Sequence, residues 1–274
     1  MKKNRLLAAL AVLAMLAVPL LAVGCGDDDD DGGGDGDGAA QQLVVGSDIP
    51  FPPFEQGRAP NYTGFDIDLV NEIAERANLQ VEYQDTAFDT IFRDLAQGKF
   101  DMVASATTIT PERQQTVDFS DPYYEAQQAL MVERGSDIQT VEDLAGVTVG
   151  AQDGTTGEAY ANDETEAEEV RGYPEGPDAV NALRAGQVEA VIIDLPVAAD
   201  ALESPAGEDL SVAAEIPTME LYGFAFQRDD DQLREQVNDA LAEIKDDGTL
   251  ADIYQRYFAT EPPDSVLEGT TQVQ

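Results

Sequence analysis

The stretch LAQGKFDMV, residues 95–103, contains a helix end, a glycine and the start of an apolar strand. A second stretch, LRAGQVEAV at 183–191, repeats Leu, Gly, an acid, an apolar residue and Val at the same spacing. A glycine in this place closes a helix and turns the chain into the next element. Two lobes built on similar plans would explain the repeat, and chance recurrence of a common connection is the alternative.

Outward from these two stretches, short apolar strands alternate with amphipathic helices. The expected strands include residues 43–45, 81–83, 101–105, 129–133, 147–150 and 189–194. Helical spacing of apolar residues appears at 69–77 and 88–95, and further helices are expected near 177–185, 195–202 and 229–246. This alternation predicts an α/β fold with mainly parallel sheets.

The composition limits the partners of the chain. Its 274 residues include 15 Lys and Arg against 55 Asp and Glu, which gives a net charge of −40 at pH 7. Nucleic acids and anionic membrane surfaces would repel such a chain, so we expect neither as a partner. A hydrophobic content of 43% is sufficient for sizeable cores.

The N-terminus has the pattern of an export signal. Lys2, Lys3 and Arg5 precede an apolar run that ends just before Cys25, the single cysteine. We expect a signal peptide at 1–24, lipidation of Cys25 as in a bacterial lipobox, and a flexible Asp/Gly tether over 25–42. A plain signal peptide or an N-terminal anchor helix is the alternative, and each places the folded part outside the cytoplasm.

Ligands of open α/β sheets bind beyond the carboxyl ends of strands, which directs attention to residues 105–113 and Asp194. Thr110 and Pro111 predict a helix start, where a cation such as Arg113 is unfavourable by about 0.3–1 kcal/mol. A guanidinium can hold a carboxylate through two parallel hydrogen bonds, which would explain its position. A surface arginine paired with one of the many acids is the alternative.

Three further features suit a small zwitterion. QDGTTGEAY, 152–160, predicts a helix capped by Thr155 or Thr156, whose N-terminus could bind an anion. Asp48 and Asp194 end apolar strands and could accept hydrogen bonds from an ammonium, or simply cap turns. Phe51, Phe54 and Phe88 could wall an apolar slot, with core packing the alternative. Together these groups match the carboxylate and the ammonium of an α-amino acid.

The residues give little support to catalysis. The chain has no histidine, and no cysteine lies within the expected fold. A triad built on histidine is therefore impossible. The sequence also has neither a metal-ligand cluster with diagnostic spacing nor a glycine-rich nucleotide motif. We expect no metal and no cofactor.

The motifs GFDIDLVNEIA (64–74), ITPERQQTVDFSDPYY (109–124), LYGFAF (221–226) and DDGTLADIYQRYF (246–258) resemble the family 3 extracellular solute-binding proteins, the polar-amino-acid receptors of ABC importers. The resemblance covers about 43 to 260. It implies a two-lobed periplasmic-binding-protein-like (Venus flytrap) fold with two crossover hinge strands, at 123–129 and 218–223. Lobe 1 would comprise 43–126 plus 221–262, lobe 2 would comprise 127–220, and 263–274 would be a C-terminal tail.

The resemblance also implies the ligand-binding residues. Arg113 and Thr156 fall on positions that hold the α-carboxylate, and Thr108 falls on the matching hydroxyl position. The backbone of Ala106 and the carboxylate of Asp194 fall on positions that bind the α-ammonium. The side-chain pocket would be lined by Asp48, Phe51, Phe88 and Gln152. An acid in that pocket favours a ligand with hydrogen-bond donors, such as glutamine or a basic amino acid.

These features together predict a non-enzymatic, monomeric lipoprotein that captures a polar L-amino acid and delivers it to the transmembrane subunits of an ABC importer. Its contact with the membrane would be through the lipid anchor alone. An extracytoplasmic dehydratase on the same fold, acting on a cyclic carboxylic acid with Asp48 or Glu55 as its acid or base, is the alternative. A sensor fused to a kinase would need a second apolar run of roughly 18 residues, and the sequence has none.

Overall fold

The computed structural model describes residues 40–269, so the predicted signal peptide, Cys25 and most of the tether lie outside the described residues. Within this range the strands are β1 Gln41–Ser47, β2 Gln56–Arg58, β3 Asn61–Thr63, β4 Leu79–Asp85, β5 Met102–Val103, β6 Val117–Phe119, β7 Tyr124–Glu133, β8 Thr148–Gln152, β9 Glu169–Tyr173, β10 Ala190–Asp194, β11 Leu210–Tyr222 and β12 Ala225–Gln227. The helices are α1 Phe65–Arg76, α2 Phe88–Ala96, α3 Thr156–Asp163, α4 Gly176–Arg184, α5 Leu195–Glu203, α6 Asp231–Asp246, α7 Thr249–Phe258 and α8 Asp264–Leu267.

Residues 40–269 contain no helix with the length and apolar character needed to span a membrane.

Two five-stranded sheets, with helices packed on them, form the scaffold of the described residues. The first sheet has the order β4-β1-β5-β12-β6 and the second has the order β11-β7-β10-β8-β9. The fold is therefore α/β with two lobes, one around each sheet. The predicted boundaries at 126/127 and 220/221 remain predictions.

The repeated sequence stretches occupy equivalent places in the two sheets. β5 and β10, which end these stretches, are the middle strands of their sheets. Gly98 follows α2 with φ 74°, and Gly186 follows α4 with φ 64°. Each glycine N–H donates to a carbonyl three residues earlier, on Leu95 and Leu183 respectively. Since only glycine adopts this backbone freely, the two glycines set the turn from helix into strand in both lobes.

The prediction of mainly parallel sheets is wrong. Among the described residues, each five-stranded sheet has two parallel pairings and two antiparallel ones. The antiparallel pairings all involve β7 or β12, which lie where the chain enters the second sheet and where it returns to the first. A chain that crosses to another sheet and comes back reverses its direction, which the local pattern of strands and helices does not reveal.

β7 and β11 connect the two sheets and lie side by side. They pair antiparallel with Tyr124 opposite Tyr222 and Ala126 opposite Glu220, and the register shifts between Ile216 and Glu220. The predicted crossovers fall largely on these two strands. Beyond β11 the chain adds β12 to the first sheet and then packs α6 and α7 against α1, where Arg76 pairs with Asp247 at 2.7 Å.

An aromatic core lies beneath the first sheet and explains the glycine of GFDIDL. Phe54 and Phe65 are fully buried and meet edge to face, with ring centroids 5.9 Å apart. Gly64 precedes α1 with φ 133°, and a Cβ atom there would lie 2.1 Å from the carbonyl oxygen of Phe54. The backbone of one loop therefore passes directly over the start of α1, which no residue with a side chain would allow.

Candidate functional site

A cleft lies beyond the carboxyl ends of β5 and β10, where the sequence directs attention. Its free volume is about 10 Å³, roughly the space that one water molecule needs, so the two walls of the cleft lie close together. Its lining residues are Phe51, Phe88, Ser105, Ala106, Thr108, Arg113, Gln152, Thr155, Thr156 and Asp194.

Arg113 lies at the edge of the cleft, with its guanidinium directed inward. The predicted helix at 110–113 is wrong in type, because residues Arg113–Gln115 form a single 3-10 turn whose first N–H donates to Thr110 Oγ1. The guanidinium donates to the carbonyls of Thr108 at 2.8 Å and Gly154 at 3.1 Å. None of the ion pairs within residues 40–269 includes Arg113.

Two aromatic rings and burial surround the guanidinium of Arg113. Its guanidinium carbon lies 5.3 Å from the ring centroid of Phe88 and 4.7 Å from that of Phe92, both on α2. Burial lowers the pKa of Arg113 to about 10, and the nearby charges of Glu220 and Asp194 oppose this shift. A guanidinium so stacked keeps its charge at neutral pH and presents a rigid fork to an incoming carboxylate.

Glu220, on β11, holds hydroxyl groups from both sides of the cleft. Its Oε2 accepts from Thr108 Oγ1 and from Thr156 Oγ1, each at 2.7 Å. Its Oε1 accepts from Gln128 Nε2 at 3.0 Å. The Gln128 amide is fully buried and also donates a very short hydrogen bond to Asp194 Oδ1. One amide thus joins the carboxylates of Glu220 and Asp194.

Asp194 ends β10 and reaches the floor of the cleft with only 9% of its surface exposed. Burial, followed by the charge of Glu220, raises the pKa of Asp194 to about 7. Hydrogen bonding to Gln128 and the charge of Arg113 act in the opposite direction. A buried carboxylate beside a second one gains most from a cationic partner, which an ammonium would supply.

Asp48 does not itself line the cleft but meets Gln152, a lining residue from the second sheet. Gln152 Nε2 donates to Asp48 Oδ2 at 2.5 Å and to the carbonyl of Pro174 at 3.1 Å. The Asp48 N–H donates to Ser105 Oγ at 2.9 Å. Burial raises the pKa of Asp48 to about 7, the Gln152 bond lowers it, and the charge of Glu175 raises it further.

Two more buried acids lie behind the cleft and support its backbone. Asp66 Oδ2 accepts from the N–H of Ala106 at 2.8 Å and from the hydroxyl of Tyr123 at 2.8 Å. Ala106 has φ 45°, a conformation that costs a residue with a side chain roughly 1–2 kcal/mol. Glu55 is fully buried and accepts from Ser105 Oγ at 3.0 Å. Burial raises the pKa of both acids.

The structure brings the predicted site residues together. Eight of the nine line the cleft, namely Phe51, Phe88, Ala106, Thr108, Arg113, Gln152, Thr156 and Asp194, and Asp48 contacts it through Gln152. The helix predicted to begin within 152–160 is α3, with Thr155 as its cap. Their roles toward a ligand remain predictions. Phe54, predicted either as wall or as core, lies in the aromatic core.

Sequence reasoning missed Gln128 and Glu220. Gln128 lies on the same face of β7 as buried Ala126 and Leu130, so a polar residue in an apolar register was the available signal. Glu220 lies within the expected hinge at 218–223 and directly precedes the LYGFAF motif, but neither pattern assigned it a contact with the cleft.

Two α/β lobes joined by paired strands, with a small polar cleft lined from both sides, define the periplasmic-binding-protein-like class of fold. The family model of bacterial extracellular solute-binding proteins, family 3, matches residues 43–260. The chain therefore belongs to this family.

Similar proteins support this assignment. The histidine-binding periplasmic protein of Escherichia coli K12 is 33% identical over 228 residues, covering 80% of this chain and 88% of the relative. The arginine-, lysine-, histidine-binding protein ArtJ from Geobacillus stearothermophilus is 34% identical, with 83% of this chain and 100% of that chain covered and a TM-score of 0.78. A structure of an ancestral arginine-binding protein bound to glutamine is 38% identical, covering 80% and 98%, with a TM-score of 0.76. All three are binding proteins rather than enzymes.

Proposed function

We propose that the protein captures a polar L-amino acid outside the cytoplasm, with glutamine or a basic amino acid favoured, and delivers it to an ABC importer. The observation that carries the proposal is that Arg113 and Asp194 line one small cleft. A guanidinium without a carboxylate partner among the described residues suits the α-carboxylate, and a buried carboxylate suits the α-ammonium.

The side-chain preference rests on Asp48 and its surroundings. The charges of Glu175, Asp85 and Asp89 all act on Asp48 and raise its pKa, so this end of the cleft is negative. An acidic side chain would be repelled there, because like charges at short range in a partly buried site are unfavourable. An amide or a cationic side chain would donate hydrogen bonds to Asp48.

The proposed mechanism is closure of the two lobes on the ligand. Arg113 and Thr108 belong to one side of the cleft, while Thr156 and Asp194 belong to the other. A ligand that contacts both sides binds the closed form more tightly, and this difference in affinity shifts the equilibrium toward closure. The closed form would then dock on the importer.

The proposal includes a lipid anchor at Cys25 and a monomeric state. Metabolic labelling with a fatty-acid analogue would show incorporation in the full chain and none in Cys25→Ser. Sedimentation of the soluble part would give the mass of one chain. Labelling of the Cys25→Ser protein would contradict the anchor without affecting the proposed ligand.

A thermal-shift screen against the twenty amino acids tests the ligand directly. A ligand present at 100 times its dissociation constant stabilises a protein by about 2.7 kcal/mol, which is readily measured. We expect a shift with glutamine or with basic amino acids, and none with aspartate or glutamate. A screen in which no amino acid shifts the unfolding temperature would overturn the proposal.

A further inference from the structure

The proposed ligand contacts do not explain why a buried glutamate, Glu220, lies beside the cleft. Glu220 is 8% exposed, and its carboxylate accepts hydrogen bonds from the hydroxyls of Thr108 and Thr156. These two threonines line the cleft from opposite sides. A hydroxyl group has one proton and two lone pairs. Because each hydroxyl proton is engaged in a hydrogen bond to Glu220, the threonine oxygen can contact a ligand only as a hydrogen-bond acceptor.

This arrangement decides which end of a zwitterion the two threonines can recognise. A carboxylate is acceptor-only and gains nothing from a hydroxyl whose proton points elsewhere, whereas an ammonium offers three donors. Thr108 and Thr156 can therefore serve a carboxylate only through their backbone N–H groups. Thr156 is the first residue of α3, where N–H groups lack partners within the helix.

Gln128 extends the arrangement to Asp194. Its buried amide nitrogen donates to Glu220 Oε1 and to Asp194 Oδ1 and also lies 3.4 Å from Thr156 Oγ1, so two carboxylates and one hydroxyl oxygen share its two N–H groups. This bridge holds two like charges close together and fixes the oxygen atoms of both. Asp194 and the two threonine oxygens then form one set of acceptors.

We propose that Glu220 is a positioning residue that orients the hydroxyls of Thr108 and Thr156 as acceptors, so that the cleft selects ligands with a protonated primary amine. The inference rests on the proposed function and adds to it a determinant of selectivity on β11. Glu220 acts through the threonines and is not itself assigned a contact with the ligand.

The test compares an amino acid with the same molecule lacking its α-amino group. Calorimetric titrations would use L-arginine with des-amino-arginine, and L-glutamine with des-amino-glutamine, on wild type and on Glu220→Gln. The glutamine amide at position 220 supplies donors as well as an acceptor, so it frees a threonine proton. We expect affinity for the amino acid to fall about tenfold or more, since hydrogen bonds to charged groups contribute this much. Affinity for the des-amino compound should stay or rise.

Two outcomes would overturn the inference. An equal loss for both members of a pair would mean that Glu220 only supports the fold, and unchanged discrimination would mean that the hydroxyls are not oriented by it. If Glu220→Gln fails to fold, Thr108→Val replaces it, because this variant removes one acceptor directly. Thr108→Ser should restore the discrimination that Thr108→Val loses, and failure to restore it would count against the inference.

The result separates this inference from the proposed function. If wild type binds neither arginine nor glutamine while another amino acid stabilises it, the comparison moves to that amino acid and its des-amino form. If wild type binds no amino acid, the proposed function itself fails. If wild type binds and Glu220→Gln keeps its full preference for the amine, only the role of Glu220 fails.

Discussion

Gln152 Nε2 and Asp48 Oδ2 lie 2.5 Å apart and join the two sheets across the cleft. Gln152 is the last residue of β8, and Asp48 directly follows β1. The bond engages one carboxylate oxygen of Asp48. It therefore contributes to closure of the lobes and sets the position of the acid that we propose to recognise the ligand side chain.

Replacing Asp48 by Asn should change specificity more than affinity for glutamine. A cationic side chain would lose a charged hydrogen bond, which corresponds to a roughly ten- to hundredfold weaker affinity for arginine or lysine. Glutamine should lose less, because the asparagine carbonyl still accepts from its amide. Titration calorimetry with both ligands measures the difference.

Glu243→Gln is the matched control for this change, since Glu243 is exposed on α6 and its replacement removes the same charge. Equal losses for arginine and glutamine in Asp48→Asn would contradict the assigned role of Asp48.

Replacing Arg113 by Lys should weaken amino-acid binding by roughly ten- to hundredfold although the charge is kept. An ammonium offers a single point of contact where the guanidinium offers two parallel hydrogen bonds, and it stacks poorly on Phe88 and Phe92. Binding would be measured by calorimetry. Arg228→Lys, an exposed position whose guanidinium donates to the carbonyl of Gln115, should behave as wild type. Full affinity in Arg113→Lys would exclude a forked carboxylate contact.

Ligand affinity should fall as the pH is lowered from 8 to 6. Burial raises the pKa of Asp194 to about 7, so acidification neutralises the carboxylate that we propose to bind the α-ammonium. At one pH unit below its pKa about one carboxyl group in ten is ionised, which corresponds to an affinity about tenfold lower. Calorimetry across this range, in a buffer of constant ionic strength, gives the slope. A pH-independent affinity would argue against Asp194 as the ammonium partner.

The stability of the protein without added ligand should change in the opposite direction. Asp48 and Asp194 have pKa values raised from 3.8 to about 7, so the folded state binds more protons than the unfolded state between these values. The free energy of unfolding therefore decreases as the pH rises through this window. Unfolding temperatures should be higher at pH 5.5 than at pH 8. The reverse order would show that other groups control the pH dependence.

Gly64→Ala should destabilise the protein by about 3 kcal/mol, as expected for strain at a special backbone conformation combined with overpacking. The added Cβ atom would lie 2.1 Å from the carbonyl oxygen of Phe54. Gly135→Ala is the matched control, because Gly135 also has a positive φ but nothing within 4 Å of the new atom. It should cost only about 1 kcal/mol. Urea unfolding of both variants measures the difference, and equal costs would refute the close approach.

The sequence predicted most of the helices and strands and most of the residues that line the candidate site. Helical spacing at Phe88, Ile91 and Leu95 marks α2, and the two glycine turns locate the middle strand of each sheet. The helix expected at 110–113 did not form, because β6 begins at Val117 and leaves room for little more than one turn. Local capping signals could not reveal this limit of length.

The contacts that sequence reasoning missed join residues that lie far apart along the chain. Glu220 and Thr108 are 112 positions apart, and Gln128 and Glu220 are 92 apart. Their meeting depends on the path of β7 and β11 between the lobes, which also produced the antiparallel pairings. Neither residue carries a distinctive local pattern, so only the three-dimensional arrangement reveals them.

The shift of register between Ile216 and Glu220 puts an irregularity into the ribbon that links the lobes, immediately beside a carboxylate bonded to both walls of the cleft. On the proposed mechanism, we expect bending of that ribbon to displace the Glu220 oxygen atoms that accept hydrogen bonds from the two threonines. The rate of opening and the choice of ligand would then both depend on one short peptide segment. Engineering a faster-opening variant through this segment would therefore also alter which ligands the protein accepts.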